Sequence, residues 1–235
     1  LGDALFWKGV RLYLQRHQRG VVETRDLMRA LEEVSGRSLG RRFEELVYRP
    51  GHPEVAIELS WEDGVLQCAA KQTQATTDGV PGAFEVPITL VIYEPDGGGG
   101  AREPGVKERR ERLRLASRVD SFSLPCPSRP RFVVVDPDMR IVGEVTVKAP
   151  ADMLRAQLQR APTGRGRWLG AQGLARVDDP PTIEALGARL FEEGELWAVR
   201  AECAAALGRI RAREAFDILV RARDVAHPKV RRAVV

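Results

Sequence analysis

A zinc-activated water needs two histidines one helical turn apart with a glutamate beside the first, the pattern His-Glu-x-x-His. This 235-residue chain has three histidines, His17, His52 and His227, separated by 35 and 175 residues. They fall in three different local contexts, so each is expected to pack or to face solvent, and none is assigned as a metal ligand. The same scatter argues against a Ser-His-Asp arrangement, and no Gly-x-Ser-x-Gly elbow is present to expose a nucleophile. Gly97-Gly98-Gly99-Gly100 has the composition of a phosphate loop, but no Gly-Lys-Ser/Thr follows it, and a flexible hairpin loop is expected instead. The cysteines, Cys68, Cys126 and Cys203, are odd in number and widely spaced, which fits neither a disulfide framework nor a Cys-x-x-Cys metal site and points to a reducing compartment. Glu32-Glu33, Glu44-Glu45 and Asp178-Asp179 read as exposed helix and turn residues. Trp61, Trp168 and Trp197 read as packing anchors. No catalytic, cofactor-binding or metal-binding residue is therefore assigned within the chain.

Composition narrows the partners. Net charge is +4, from 37 Lys and Arg against 33 Asp and Glu, and no segment carries the concentrated basic stripe of a phosphate-backbone binder. The one basic run, Lys107, Arg109, Arg110, Arg112 and Arg114, alternates with Glu108 and Glu111, as expected of a solvated edge strand protected against edge pairing. No apolar run approaches the roughly 18–20 residues of a membrane-spanning helix. Neither nucleic acid nor membrane is expected as a partner.

The elements that would position any site divide the chain in three. Residues 1–53 read as helical. Phe6, Val10 and Tyr13 recur at helical spacing, Gly20 follows as a stop, Thr24 is placed as an N-cap, and Leu27, Leu31 and Val34 form a stripe ending at Gly36. A third helix is expected from Ser38, with Leu39, Phe43, Leu46 and Val47 on one face. Pro50-Gly51-His52-Pro53 ends it, since two prolines within four residues do not fit a helix. The period then shortens to two. Val55, Ile57, Leu59 and Trp61 alternate with polar residues, Asp63-Gly64 marks a hairpin turn, and Leu66, Cys68 and Ala70 form the returning strand. Val86 to Ile92, with Pro87 at an edge or near a strand start, and shorter runs at 113–115, 122–124, 132–135 and 141–147 complete an antiparallel β-sandwich over 54–148.

Beyond Ala149-Pro150 the helical period returns and a repeat emerges. Leu174-Ala175-Arg176-Val177 and Leu207-Gly208-Arg209-Ile210 lie 33 residues apart, and Val199-Arg200-Ala201 and Val230-Arg231-Arg232 lie 31 apart. Stacked helix pairs produce such a period, and the small residues of Cys203-Ala204-Ala205-Ala206-Leu207-Gly208 suit closely approaching helices. The expected fold class is α+β and multidomain: a helical segment, an antiparallel β-sandwich, then a HEAT-like α-helical repeat over 149–235, its last repeat cut short.

As an ordered set, Gly2-Asp3-x-x-Phe6-Trp7-x-Gly9-x-x-x-Tyr13-x-x-x-His17, Thr24-x-Asp26-Leu27-x-x-Ala30-Leu31-Glu32 and Arg42-Phe43-x-x-x-Val47-Tyr48-Arg49-Pro50-Gly51-His52-Pro53 resemble the end of the catalytic domain of M1-family zinc aminopeptidases. Lys71-Gln72-Thr73-Gln74, Val86-Pro87-Ile88-Thr89-Leu90 and Val135-Asp136-Pro137-Asp138 resemble that family's sandwich segments. The resemblance implies that residues 1–53 close a thermolysin-like catalytic domain, followed by the sandwich and a HEAT-like carboxy-terminal domain. It also implies that the zinc ligands, the general base, the Gly-Ala-Met-Glu-Asn element and the transition-state tyrosine lie upstream of Leu1. The chain is then expected to be a carboxy-terminal fragment, inactive alone, of a cytoplasmic peptide hydrolase. Zinc would sit in the parent protein, and the partners would be the chain's own upstream catalytic domain and the parent's peptide substrate. The alternative is a scaffold or interaction fragment of a non-catalytic M1 homologue, and an intact or lost His-Glu-x-x-His upstream separates the two. A freestanding HEAT-like protein would leave residues 1–53 unexplained.

Overall fold

The computed structural model describes residues 1–95 and 106–234, so the Gly97 to Gly100 loop lies outside the described residues. The chain forms two compact units, Leu1–His52 with Ala75–Gly82, and Pro53–Gln74 with Ala83–Val235.

In the first unit α1 (Asp3–Arg16) packs on α2 (Thr24–Ser35). The contact requires glycine at position 9, because a Cβ there would sit 2.6 Å from Leu31 Cδ2. The cap of α2 is Glu23 rather than the expected Thr24: the Asp26 carboxylate accepts the Glu23 N–H at 2.9 Å, and Thr24 is the first helical residue. Gly36, at φ 62°, ends α2 in the left-handed conformation that glycine adopts most easily. The third helix differs from expectation. Only Gly40–Phe43 (α3) is α-helical, and Glu44–Tyr48 widens into a π turn closed by Arg49 N–H on Glu44 O. An i→i+5 turn breaks the 3.6-residue register, and Leu46 and Val47 are accordingly exposed instead of sharing a buried face with Phe43.

The second unit opens with β1 (Glu54–Glu62) and β2 (Val65–Gln72), joined by Asp63 and Gly64 at φ 48° and 80°, the positive pair that a two-residue hairpin turn requires. With β5 (Val119–Pro125) and β7 (Glu144–Lys148) they form one sheet, ordered β5-β2-β1-β7. The other sheet is β4-β3-β6, from β3 (Val86–Pro95), β4 (Val106–Leu115) and β6 (Phe132–Val135). Pairing is antiparallel except that β7, arriving from the opposite sheet, runs parallel to β1. Pro87 lies near the start of β3, opposite Arg114 of β4 and short of the stretch that pairs with β6, so its missing N–H breaks no bond to β6. The basic run forms β4 and lies at a sheet edge, as its charge alternation implied. Inside, the Gln72 amide is buried and satisfied. Its Nε2 donates to Phe84 O and Ser117 O, and its Oε1 accepts Phe84 N–H.

Six helices follow: α4 (Ala151–Arg160), α5 (Gly164–Leu174), α6 (Pro180–Phe191), α7 (Trp197–Arg209), α8 (Arg213–Ala222) and α9 (Pro228–Val234). Leu158, Leu174, Leu186, Val199, Cys203 and Leu207 are fully buried in their common core. Small residues sit at the crossings. A Cβ on Gly170 would lie 2.8 Å from the Leu158 backbone nitrogen, and one on Gly187 would lie 2.9 Å from Ile218 Cδ1. The sequence division at Ala149-Pro150 falls inside this second unit, where Phe132 and Val134 of β6 and Val91 of β3 pack against Ala156 and Ala161.

The link between α6 and α7 is held by Glu195, whose side chain is 1% exposed. Its carboxylate accepts Arg167 Nε at 2.6 Å and Nη2 at 2.9 Å, Arg189 Nη1 at 3.3 Å and Leu196 N–H at 2.6 Å. Burial pushes this carboxyl up, but Arg167, the Leu196 N–H and Arg189 together outweigh it and hold it below its ordinary value of 4.5. A lowered folded pKa adds stability that is present above the unfolded value and lost as pH falls through the folded one. Glu195→Gln is expected to cost about 3–5 kcal/mol at neutral pH, because the Arg167 guanidinium loses its buried counter-charge, while Arg189 keeps Glu192. It is also expected to flatten the loss of stability below pH 4.5. Urea melts across the acid range check this; parallel pH curves for the two proteins would contradict it.

Candidate functional site

A trough of about 770 Å³ lies between α4, α6 and the segment preceding β6. Helical spacing places Asp152, Arg155, Ala156 and Gln159 on one face of α4, and Pro181, Glu184, Ala185 and Ala188 on one face of α6. The floor is low because these positions carry alanine and proline. The rim is basic. Arg129 and Arg131 come from the segment before β6, and Arg155 and Arg160 from α4. Arg129 is paired to Asp152 through both Nη atoms, at 2.6 and 3.1 Å. The Arg129 guanidinium holds the Asp152 carboxyl below the usual carboxylate range, against a smaller upward push from burial. Arg155 uses Nη1 for Asp179 Oδ2 at 3.1 Å and Thr182 Oγ1 at 3.0 Å. Asp179 in turn caps α6 by accepting the Thr182 N–H at 2.7 Å, so this residue is a structural cap and not the plain turn residue expected. Sequence reading missed the trough. The spacing of Asp152, Arg155 and Gln159 was visible, but Arg129 and Arg131 reach it only through the fold.

The singled-out residues remain apart. His17 ends α1 with its ring 5.5 Å from Tyr13, and His52 is exposed. His227 stacks on Trp197 at 5.8 Å and 5°, with Lys229 Nζ 4.2 Å from the same indole. Glu33 pairs with Arg16, Glu44 with Arg49 and Glu45 with Arg41, while Glu32 accepts the Leu39 N–H. Trp61 Nε1 donates to Cys126 O at 2.8 Å, and Trp168 packs against the helical core. Among the described residues no group of three or more His, Cys, Asp or Glu side chains could hold a metal ion. The described residues therefore do not fit a zinc centre.

Residues 151–235 match the family of HEAT repeats. The chain is 35% identical over 92 residues to Tricorn protease-interacting factor F2 of Thermoplasma acidophilum, covering 39% of this chain and 11% of that protein. It is 37% identical over 59 residues to aminopeptidase N of Lactococcus lactis, covering 25% and 7%. It is 27% identical over 126 residues to aminopeptidase M1 of Arabidopsis thaliana, covering 53% and 12%. The aspartate complex of Legionella pneumophila aminopeptidase A shares its fold, with a TM-score of 0.58 and 13% identity, over 99% of this chain and 32% of that one. The likeness to M1-family aminopeptidases carried by the sequence motifs thus extends to curated relatives and to a solved fold. The chain spans about a tenth of the length of the curated relatives it matches.

All three cysteines are free and buried. Burial pushes the Cys68 thiol up to about 11. Burial and the neighbouring Glu94 carboxylate, 3.1 Å from Sγ, do the same for Cys126. Burial raises Cys203 further. Since the thiolate is the nucleophile, all three are expected to resist a disulfide reagent such as 5,5′-dithiobis(2-nitrobenzoate) at pH 8 in the folded protein and to react fully in guanidinium. Rapid titration of even one thiol without denaturant would contradict this.

Proposed function

We propose that the chain is the non-catalytic carboxy-terminal part of an M1-family zinc aminopeptidase, supporting and covering a peptide-hydrolysing domain upstream. In this reading residues 1–53 close the catalytic domain, 54–148 are the β-sandwich and 149–235 the HEAT-like domain. The observation that carries it is the sequence similarity to several aminopeptidases, reaching 126 residues in one of them. Zinc belongs to the upstream part, where it would activate the water that attacks the first peptide bond. The work of the present residues is to hold a shape: the glycine crossings and the Glu195 link fix the helical array, and the sandwich fixes its foundation. The peptide substrate is that of the whole enzyme. Three buried free thiols support a cytoplasmic location.

The chain alone is expected to bind no stoichiometric zinc and to leave leucine 4-nitroanilide intact, while the gene read upstream supplies an His-Glu-x-x-His and, expressed whole, hydrolyses it. Metal analysis and the chromogenic assay check this. One zinc per isolated chain, lost on His17→Ala or His52→Ala, would overturn the reading. An upstream region without the motif would replace it with the scaffold role.

A further inference from the structure

We propose that the trough between α4 and α6 is a binding site for an extended acidic peptide segment, read through its glutamate and aspartate side chains. The inference is independent of the aminopeptidase reading, since every residue it uses lies within the second unit. Four guanidiniums line the trough against two carboxylates, Asp152 and Glu184. Arg129 already neutralises Asp152 and Arg155 is paired with Asp179, so the positive charge available to a ligand centres on Arg131. Among the described residues the Arg131 guanidinium has no ion-pair or hydrogen-bond partner. All described bonds of Arg155 leave from Nη1, so its Nε and Nη2 remain available as donors. That hydrogen-bond set also holds the Arg155 side chain in place, at 23% exposed, before any ligand arrives. Guanidinium forks match carboxylates in a bidentate geometry, and a preordered arginine loses less entropy on binding.

The floor decides between anions. Ala156, Ala185, Ala188 and Pro130 give a smooth apolar bed for the methylenes of glutamate side chains and for an extended backbone. A nucleic acid strand would need aromatic platforms for its bases, and the lining has none. The volume of about 770 Å³ lies within the roughly 300–1,000 Å³ of ligand sites.

The test is fluorescence anisotropy on the full chain in low salt, with a fluorescein-labelled, carboxy-amidated octapeptide alternating glutamate and alanine. Saturable binding that weakens with added salt is expected, as for exposed charges screened beyond a Debye length. The glutamine-for-glutamate peptide should fail to bind, and the free-acid form should bind no more than about threefold tighter, which assigns recognition to side chains. R131E should weaken binding about tenfold or more. E184Q should tighten it about threefold, a gain that damage to the fold would not produce. R112E, which makes the same charge change on the exposed edge strand β4, should leave binding unchanged. The proposal is overturned if the glutamate peptide does not saturate, if the glutamine peptide binds equally, or if R112E weakens binding as much as R131E. It is also overturned if octathymidylate binds more tightly than the peptide, which would make the trough a polyphosphate site.

Discussion

Strand β6 is the constraint on which the second unit depends. Its four residues, Phe132, Val133, Val134 and Val135, are all buried, whereas a strand on a solvated sheet would hide every other one. Phe132 and Val134 join Val91, Ala156 and Ala161 on the helical side, and Val133 and Val135, pointing the opposite way, close the interior of the sandwich. The ring of Phe132 stacks on Tyr93 at 4.4 Å. Full burial of each of these side chains is worth about 1.5–3 kcal/mol, so one short strand ties the sandwich to the helical array.

That tie explains where the trough lies. The segment entering β6 brings Arg129 and Arg131 alongside α4, and the Arg129–Asp152 pair spans the same seam. Beyond it, the helices approach closely because glycine and alanine stand at the crossings. Two guanidinium contacts, the part-buried Arg167 with Glu195 and the buried Arg200 with Leu190 O, hold the turn between α6 and α7.

Local chemistry was legible in the residues and long-range pairing was not. Asp63-Gly64 announced its hairpin because positive φ at two adjacent positions is a local demand, and Gly36 marked the end of α2 for the same reason. The charge alternation of 107–114 announced an edge strand because edge protection is written in the strand's own side chains. By contrast, β7 lies parallel to β1 across some ninety residues, and no local signal carries that pairing. The π turn at Glu44–Tyr48 defeats any reading built on a 3.6 period. The capping roles of Glu23, through a reciprocal pair of hydrogen bonds with Asp26, and of Asp179, through the Thr182 N–H, are not revealed by composition. The trough joins residues from 129 to 188 and exists only once β6 has docked on α4.

If β6 makes sandwich and helices one cooperative body, native-state hydrogen exchange is the direct measurement. The account predicts that slow amides of β1–β3 and of α5 and α7 open with a common free energy, and that Val134→Asp, at a site 1% exposed, lowers protection in strands and helices by the same amount. Helices that keep their full protection while the strands lose theirs would show two bodies merely in contact, and would contradict it.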